Sequence, residues 1–542
     1  MTPLVQICTR VARVLLGCGI VCALAASNVA GNDAPRFLIF HLDAVSAVDF
    51  DRAWAEGRLP NLQRAFEDGA RANASTLFFA ATPVIYPRMR SGESNAGRGS
   101  LTFGGYDRES DRTIAEVTVF LEHVASLPRR AVSNMLSGVP LLDAWAGLAI
   151  MNVPDLLERY GVVEFFYFAT DTYGHLLGEE AHRRSLERFD AYLGRLLPSL
   201  DLEQLNLILY ADHGMTFARD MVAFEPLLVE RIGVERRHFV YPNLYLRDPA
   251  LAPAVARELA RDGGADFAFY RVDADRVHGF VQGAFVRFER DGDGIRYLSD
   301  DDPLGYGALG YDGSALTPDA WLALTIDAYF PATPPNLFGY VQNPGAGDVV
   351  MGLIPPRIPQ TLRATAGAHA SIIDTDLIVP VLARGPDVDA LAARSTLWLH
   401  DLYQDLPIEF GFEPSRERHE FEVWWRFDDL TPGARVRLSP EYRLRVATEA
   451  TPASWALWSE HDLMSGYLSR WWLGAGVSYR HGAFEPMARA ELELDLGDAR
   501  VRLEGRYRPG GWTFSLGAAF RVGEGARLGW LAPGGLGLAY EW

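Results

Sequence analysis

The chain has 542 residues, too many for one ordinary hydrophobic core, so two to four domains are expected. Apolar residues make up 49% and charged residues 22%, the values of a folded chain rather than a disordered one. A formal net charge of −19 excludes a protein built to neutralise nucleic-acid phosphates, so no nucleic-acid scaffold is expected as a partner.

Residues 1–26 carry Arg10 and Arg13, then the apolar run Val14 to Ala23, then Ala23-Leu24-Ala25. This pattern predicts a cleaved signal peptide, because the run is shorter than the roughly 20 residues needed to span a bilayer. Cys8, Cys18 and Cys22 all fall inside it. The exported chain would then lack cysteine, and His, Asp and Glu would have to hold any metal.

Downstream, the apolar run of residues 36–42 ends at Asp43 and reads as a buried strand. The design recurs at 162–169, ending near Asp171, and at 205–211, ending at Asp212 and His213. In parallel α/β sheets the C-terminal strand edge is where loops can converge polar groups on a ligand. Residues 180–197 place Leu186, Phe189, Tyr192, Leu193 and Leu196 at helical spacing. Strands alternating with helices predict an α/β fold, a doubly wound and mostly parallel sheet. This domain is expected over 34–400, with a cap insertion at about 220–345 and the core resuming near residues 347–353.

The chemistry-bearing residues are Asp43, Thr82, Asp171, His175, Asp212, His213 and His369. Asp171 and His175 are four apart, close enough to share one ion, and Asp212-His213 offers neighbouring ligands that can face two. His369 has small neighbours that permit a close approach.

Taken in order, these residues resemble the type I phosphodiesterase and nucleotide pyrophosphatase family of the alkaline-phosphatase superfamily, over roughly residues 36–395. The strand-end Asp43 is similar to the family's first carboxylate. Thr82, ahead of Ser91-Gly92, is similar to its nucleophile. Asp171-Thr-Tyr-Gly-His175, Ala211-Asp-His-Gly-Met215 and Gly367-Ala-His369 are similar to its D-x-x-x-H, S-D-H-G-M and G-x-H. The resemblance implies two divalent ions, zinc in the family. Asp171, His175 and His369 would hold one, and Asp43, Asp212, His213 and the Thr82 oxygen the other. It also implies a phosphate-ester substrate, most readily a phosphodiester, hydrolysed through a phospho-threonine; a phosphomonoesterase with the same site is the alternative.

Two departures stand out. Ala44 follows Asp43 where the family usually has Gly. The stretch Leu101-Thr-Phe-Gly-Gly105 lacks the Asn that commonly binds a phosphoryl oxygen, which leaves Asn95, Thr102 or Arg88 as substitutes. That gap keeps open a further alternative, a catalytically idle binding or assembly protein of the outer membrane.

From about residue 418 the apolar period becomes two. Phe421, Val423, Trp425 and Phe427 share one parity, as do Tyr467, Trp471, Leu473, Ala475, Val477 and Tyr479, and Trp512 through Val522 continue the pattern. Pro432-Gly433, Gly497-Asp498, Pro509-Gly510-Gly511 and Pro533-Gly534-Gly535 read as turns. Over 415–542 this predicts an antiparallel β-barrel of about eight strands of 9–11 residues in a bacterial outer membrane. The alternating C-terminus ending at Trp542 resembles the last-strand signal of outer-membrane proteins. The expected partners are outer-membrane lipid and the insertion machinery, with the catalytic domain periplasmic.

Overall fold

The computed structural model describes residues 35–97, 100–108, 112–114, 131–134, 146–147, 150–154, 157, 161–217, 220–222, 236–261, 264–359, 366–404 and 406–408, together with ten strands between 420 and 541. The expected signal peptide, and Phe427 and Tyr467 of the alternating pattern, lie outside the described residues.

A seven-stranded sheet forms the core. Its order is Thr396–Trp398, Ala70–Ser75, Ile378–Arg384, Leu205–Ala211, Arg36–Leu42, Val162–Tyr167 and Ala131–Asn134. The strand Arg36–Leu42, fifth in this order, runs parallel to both neighbours. Ile378–Arg384 is antiparallel to the strands on either side, so the sheet is mixed but mostly parallel. All seven residues of Leu205–Ala211 are buried, as are all but the first of Arg36–Leu42. Burial on both faces explains why these runs read as continuous apolar sequence rather than as alternation.

Register positions the site. Leu42 pairs with Tyr167 on one side and Ala211 on the other, so the three parallel strands end level. Asp43 and Asp212 therefore emerge side by side. Asp171 arrives differently from expectation: its strand stops at Tyr167, and Asp171 sits in the first turn of the helix Ala169–Leu177. His175 lies one turn later on the same helix. The helix Glu179–Leu196 packs Leu186, Phe189, Tyr192, Leu193 and Leu196 inward, at the spacing read from sequence.

A second, antiparallel sheet also has seven strands: Arg236–Val240, Asn243–Leu246, Val349–Gly352, Phe267–Arg271, Arg276–Val281, Ala284–Asp291 and Gly294–Leu298 in spatial order. One expectation fails here. Residues 349–352 pair with Asn243–Leu246 and Phe267–Arg271, so they belong to the inserted sheet. The main sheet resumes only at Ile378–Arg384. A short apolar run reads as a buried strand in either sheet, and its sequence does not name its partner.

The C-terminal strands close into a barrel of ten, not about eight. They run from 6 to 13 residues and follow one another after as few as two, as between Arg480 and Ala483. Pro432-Gly433, read as a turn, lies inside the strand Thr431–Ser439 and pairs with Trp425 and Trp424. Proline is tolerated at the start of a strand, which is where Pro432 falls. No helix among the described residues is long and apolar enough to cross a membrane.

Candidate metal and nucleophile site

Two three-residue clusters of potential ligands lie at the level strand ends: Asp171, His175 and His369, and Asp43, Asp212 and His213. In the first, Asp171 Oδ1 is 3.2 Å from His175 Nε2 and 3.6 Å from His369 Nε2. In the second, His213 Nε2 is 3.4 Å from Asp43 Oδ1 and 3.5 Å from Asp212 Oδ2. The clusters abut, because the His213 and His369 rings stack with centroids 4.0 Å apart.

Main-chain carbonyls fix the tautomer of all three imidazoles. His175 Nδ1 lies 2.8 Å from Gly367 O, His213 Nδ1 3.0 Å from Gly214 O, and His369 Nδ1 2.5 Å from Ala80 O. A carbonyl only accepts, so each Nδ1 carries the proton and each Nε2 presents a lone pair to its cluster. Such outer hydrogen bonds orient histidines that ligate metals.

The carboxylates divide their oxygens in the same way. Asp212 Oδ1 accepts from the backbone N–H of His213 at 3.0 Å and of Ala44 at 3.4 Å, whereas Oδ2 is buried without a hydrogen-bond partner. Asp171 Oδ1 is likewise buried and unpartnered. Each unpartnered oxygen faces a histidine Nε2, and burying such atoms is costly unless a cation completes them. The residues therefore fit two divalent ions. Burial, then the charges of Asp212 and Asp171, push Asp43 well above the usual carboxylate range. Burial opposes the Asp171 charge, but His175, His369 and His213 outweigh it and bring that group to about 2. Burial, then the neighbouring His213 and His175, push His369 well down, so it stays neutral and ready to donate.

Thr82 opens the helix Thr82–Ser91, after Ala81 in extended conformation. Its Oγ1 is 3.2 Å from Asp43 Oδ1 and 3.3 Å from His213 Nε2. The hydroxyl thus lies against the second cluster and at the positive end of a helix, where an anion is favoured.

Arg88, Asn95 and Thr102 are buried, with donors turned to main-chain carbonyls. Arg88 donates to Ser94 O and to Ser100 O at 3.5 Å, Asn95 to Phe78 O and Asn336 O, and Thr102 to Tyr241 O at 2.7 Å. Those contacts hold the loops that follow the nucleophile helix.

Sequence reasoning passed over the groups beneath the clusters. His41 was read only as part of a strand, yet its Nε2 is 3.3 Å from Asp212 Oδ1 and its Nδ1 3.6 Å from Glu164 Oε1. Burial opposes its charge, but Asp212 and Glu164 prevail and raise it. Glu164 accepts from Tyr210 Oη at 2.6 Å, from Tyr403 Oη at 3.2 Å and from Tyr86. A histidine and a glutamate inside otherwise apolar strands, the former two residues before Asp43 and so on its face, were the available signal. Asp376, buried, accepts from Thr216 Oγ1 at 2.6 Å while its carbonyl receives Gly214 N–H, which anchors the loop after His213.

Residues 41–279 match the family model described as type I phosphodiesterase / nucleotide pyrophosphatase. Over this stretch the chain resembles that family. The chain is a phosphate-ester hydrolase with the alkaline-phosphatase-like α/β fold and two candidate metal-binding clusters. No curated protein matches the chain significantly. Among solved structures, the chain aligns with murine ectonucleotide pyrophosphatase / phosphodiesterase 5 at 12% identity and a TM-score of 0.37, covering 68% of this chain and 93% of that one. The human protein of the same name gives 13%, 0.38 and the same coverage. Phosphonoacetate hydrolase from Sinorhizobium meliloti 1021, in complex with phosphonoacetate, gives 14% and 0.39, covering 69% and 97%.

Proposed function

We propose that this hydrolase cleaves phosphodiesters with Thr82 as nucleophile at a two-zinc site, tethered to the bacterial outer membrane by its C-terminal barrel. One observation carries the catalytic part: two abutting ligand clusters with a hydroxyl held 3.2 and 3.3 Å from members of one of them.

Asp171, His175 and His369 would hold one ion, and Asp43, Asp212 and His213 the other. When bound, such a pair polarises a phosphoryl oxygen and lowers the pKa of a nearby hydroxyl or water. Thr82 Oγ1 gives up its proton and attacks phosphorus, the new Oγ1–P bond replaces the bond to the leaving alkoxide, which takes a proton and departs as an alcohol, and water then forms a new O–P bond, returns a proton to Oγ1 and releases the phosphomonoester. Thr82 stands at the start of the helix Thr82–Ser91, whose positive end favours negative charge on the group bound to its oxygen.

Support for the tether comes from the leader-like residues 1–26, the ten-stranded closure and the alternating terminal strand. On this reading the catalytic domain faces the periplasm, and its partners are the phosphate-ester substrate, membrane lipid and the insertion machinery.

The test compares wild type with Thr82→Ala on bis-p-nitrophenyl phosphate and p-nitrophenyl phosphate, with and without chelator. Chelator-sensitive diester hydrolysis, reduced by more than about 1,000-fold in Thr82→Ala, is the expected result. A preference for the monoester would overturn the diesterase assignment. Activity that survives Thr82→Ala would remove the threonine from the mechanism.

A further inference from the structure

We infer that His41, clamped by Glu164, is a positioning residue that holds the Asp212 carboxylate in its ligating orientation and ties it to the helix that carries Thr82; this rests on the two-ion reading above.

The strand that ends in Asp43 brings His41 to the same face one pleat earlier, since side chains alternate along a strand. Its imidazole is 1% exposed and packed on three rings: Phe166 at 4.2 Å, Tyr210 at 4.6 Å and Tyr86 at 5.8 Å between centroids. Two of these contacts follow from register, because His41 pairs with Phe166 on one neighbouring strand and Tyr210 on the other. The ring therefore has one available plane. In that plane one nitrogen faces Asp212 Oδ1 and the other faces Glu164 Oε1.

Asp212 Oδ1 is already held by two backbone N–H groups, and His41 approaches the same oxygen. Two backbone hydrogen bonds, with the His41 imidazole set against the same oxygen at 3.3 Å as a charge partner rather than in hydrogen-bond geometry, leave Oδ2, the buried unpartnered oxygen, pointed at the His213 side. A carboxylate free to rotate would lose that direction. Glu164 stands behind the ring and is fixed by three tyrosine hydroxyls. One of them, Tyr86, lies one turn after Thr82 on the same helix, so the chain Tyr86–Glu164–His41–Asp212 connects nucleophile and ligand through buried groups. Burying an acid and an imidazole this deeply in an apolar strand layer is costly for stability alone, and apolar residues of similar size would fill the space.

The experiment titrates full-length, metal-free protein with Zn2+ against a competing chelator, beside thermal unfolding of the same metal-free samples. Wild type, His41→Gln, His41→Phe and Glu164→Gln are compared, each also with His369→Ala so that only the Asp43–Asp212–His213 cluster remains. Phenylalanine keeps the stacking and removes the donor, whereas the glutamine amide nitrogen can replace the ring Nε2. Weakening by about 10- to 100-fold at this cluster in His41→Phe, with the other ion unchanged and His41→Gln within a few fold of wild type, is the expected result. Equal affinity in His41→Phe and wild type, or equal weakening of both ions, overturns the inference. Should His41→Phe fail to fold, Glu164→Gln decides: weakening confined to the same ion supports the clamp, and wild-type affinity overturns it. Failure of wild type itself to bind two ions would instead overturn the two-ion reading.

Discussion

The imidazoles of His213 and His369 stack with centroids 4.0 Å apart and planes 27° apart, although His213 sits with Asp43 and Asp212 and His369 with Asp171 and His175. A shared stack makes the two ligand sets mechanically dependent, because neither ring can turn without disturbing the other. Residues in contact couple by about 0.5–3 kcal/mol. His369→Ala is therefore expected to abolish the ion at its own cluster and also to weaken the other by about 3-fold or more. His175→Ala, which leaves both the stack and the Asp171 charge in place, should affect only its own ion. Zinc titration of the two variants checks this, and an untouched second ion in His369→Ala would refute the coupling.

Two alanines that directly follow cluster residues have left-handed backbone: Ala44 after Asp43 with φ 57°, and Ala370 after His369 with φ 80°. The first explains why the family usually has glycine at that place. Left-handed backbone costs an alanine about 1–2 kcal/mol, while glycine gives up a buried methyl and gains unfolded-state freedom, each worth about 0.5–1 kcal/mol. Ala44→Gly should therefore change stability by less than about 1 kcal/mol. Ala44→Val, β-branched and fully buried, should destabilise by more than about 2 kcal/mol. Denaturant unfolding of metal-free protein measures both, and a valine variant as stable as wild type would contradict the assigned backbone.

His400 gives a pH prediction away from the clusters. Burial, and then the nearby Arg88 charge, lower it from 6.5 to about 4. Between pH 4 and 6.5 the unfolded chain binds more protons at this site than the folded one. Its contribution to stability is thus complete above pH 6.5 and declines as pH falls toward 4. The full shift corresponds to about 3 kcal/mol. His400 Nδ1 is buried without a hydrogen-bond partner, so His400→Phe sacrifices no hydrogen bond at that atom. The variant should match wild type near pH 7 and exceed it near pH 4.5. Stability curves that run parallel across this window would refute the assignment.

Much of the catalytic fold could be read from local sequence, because its parallel strands are apolar throughout and end in acidic residues. Leu205–Ala211 and Arg36–Leu42 fall where expected, and all seven metal-site candidates fall at the two clusters. What could not be read was pairing. Val349–Gly352 carries no mark that assigns it to the inserted sheet, and Pro432-Gly433 reads as a turn although a strand start accommodates it. His41 and Glu164 were hidden for a related reason. Their importance comes from register, which sets His41 opposite Phe166 and Tyr210, and from Tyr403, which is 239 residues from Glu164 in sequence.

The barrel's closure makes the final prediction. The first strand, Glu420–Arg426, pairs with the last, Gly535–Glu541, along its whole length, from Glu420 opposite Glu541 to Arg426 opposite Gly535. A sheet closed this way leaves no edge strand to fray, so unfolding must break a ladder from within. If the barrel is seated in the outer membrane as proposed above, it should stay folded in cold detergent and unfold on boiling. Full-length protein extracted in detergent is expected to migrate faster on a gel when unheated than when boiled. Val423 lies mid-strand, opposite both Ala434 and Leu538. Val423→Pro removes a backbone N–H where two ladders meet and should abolish the fast-migrating form. Identical mobility before and after boiling in wild type, or a proline variant that keeps the fast form, would rule out closure between these strands.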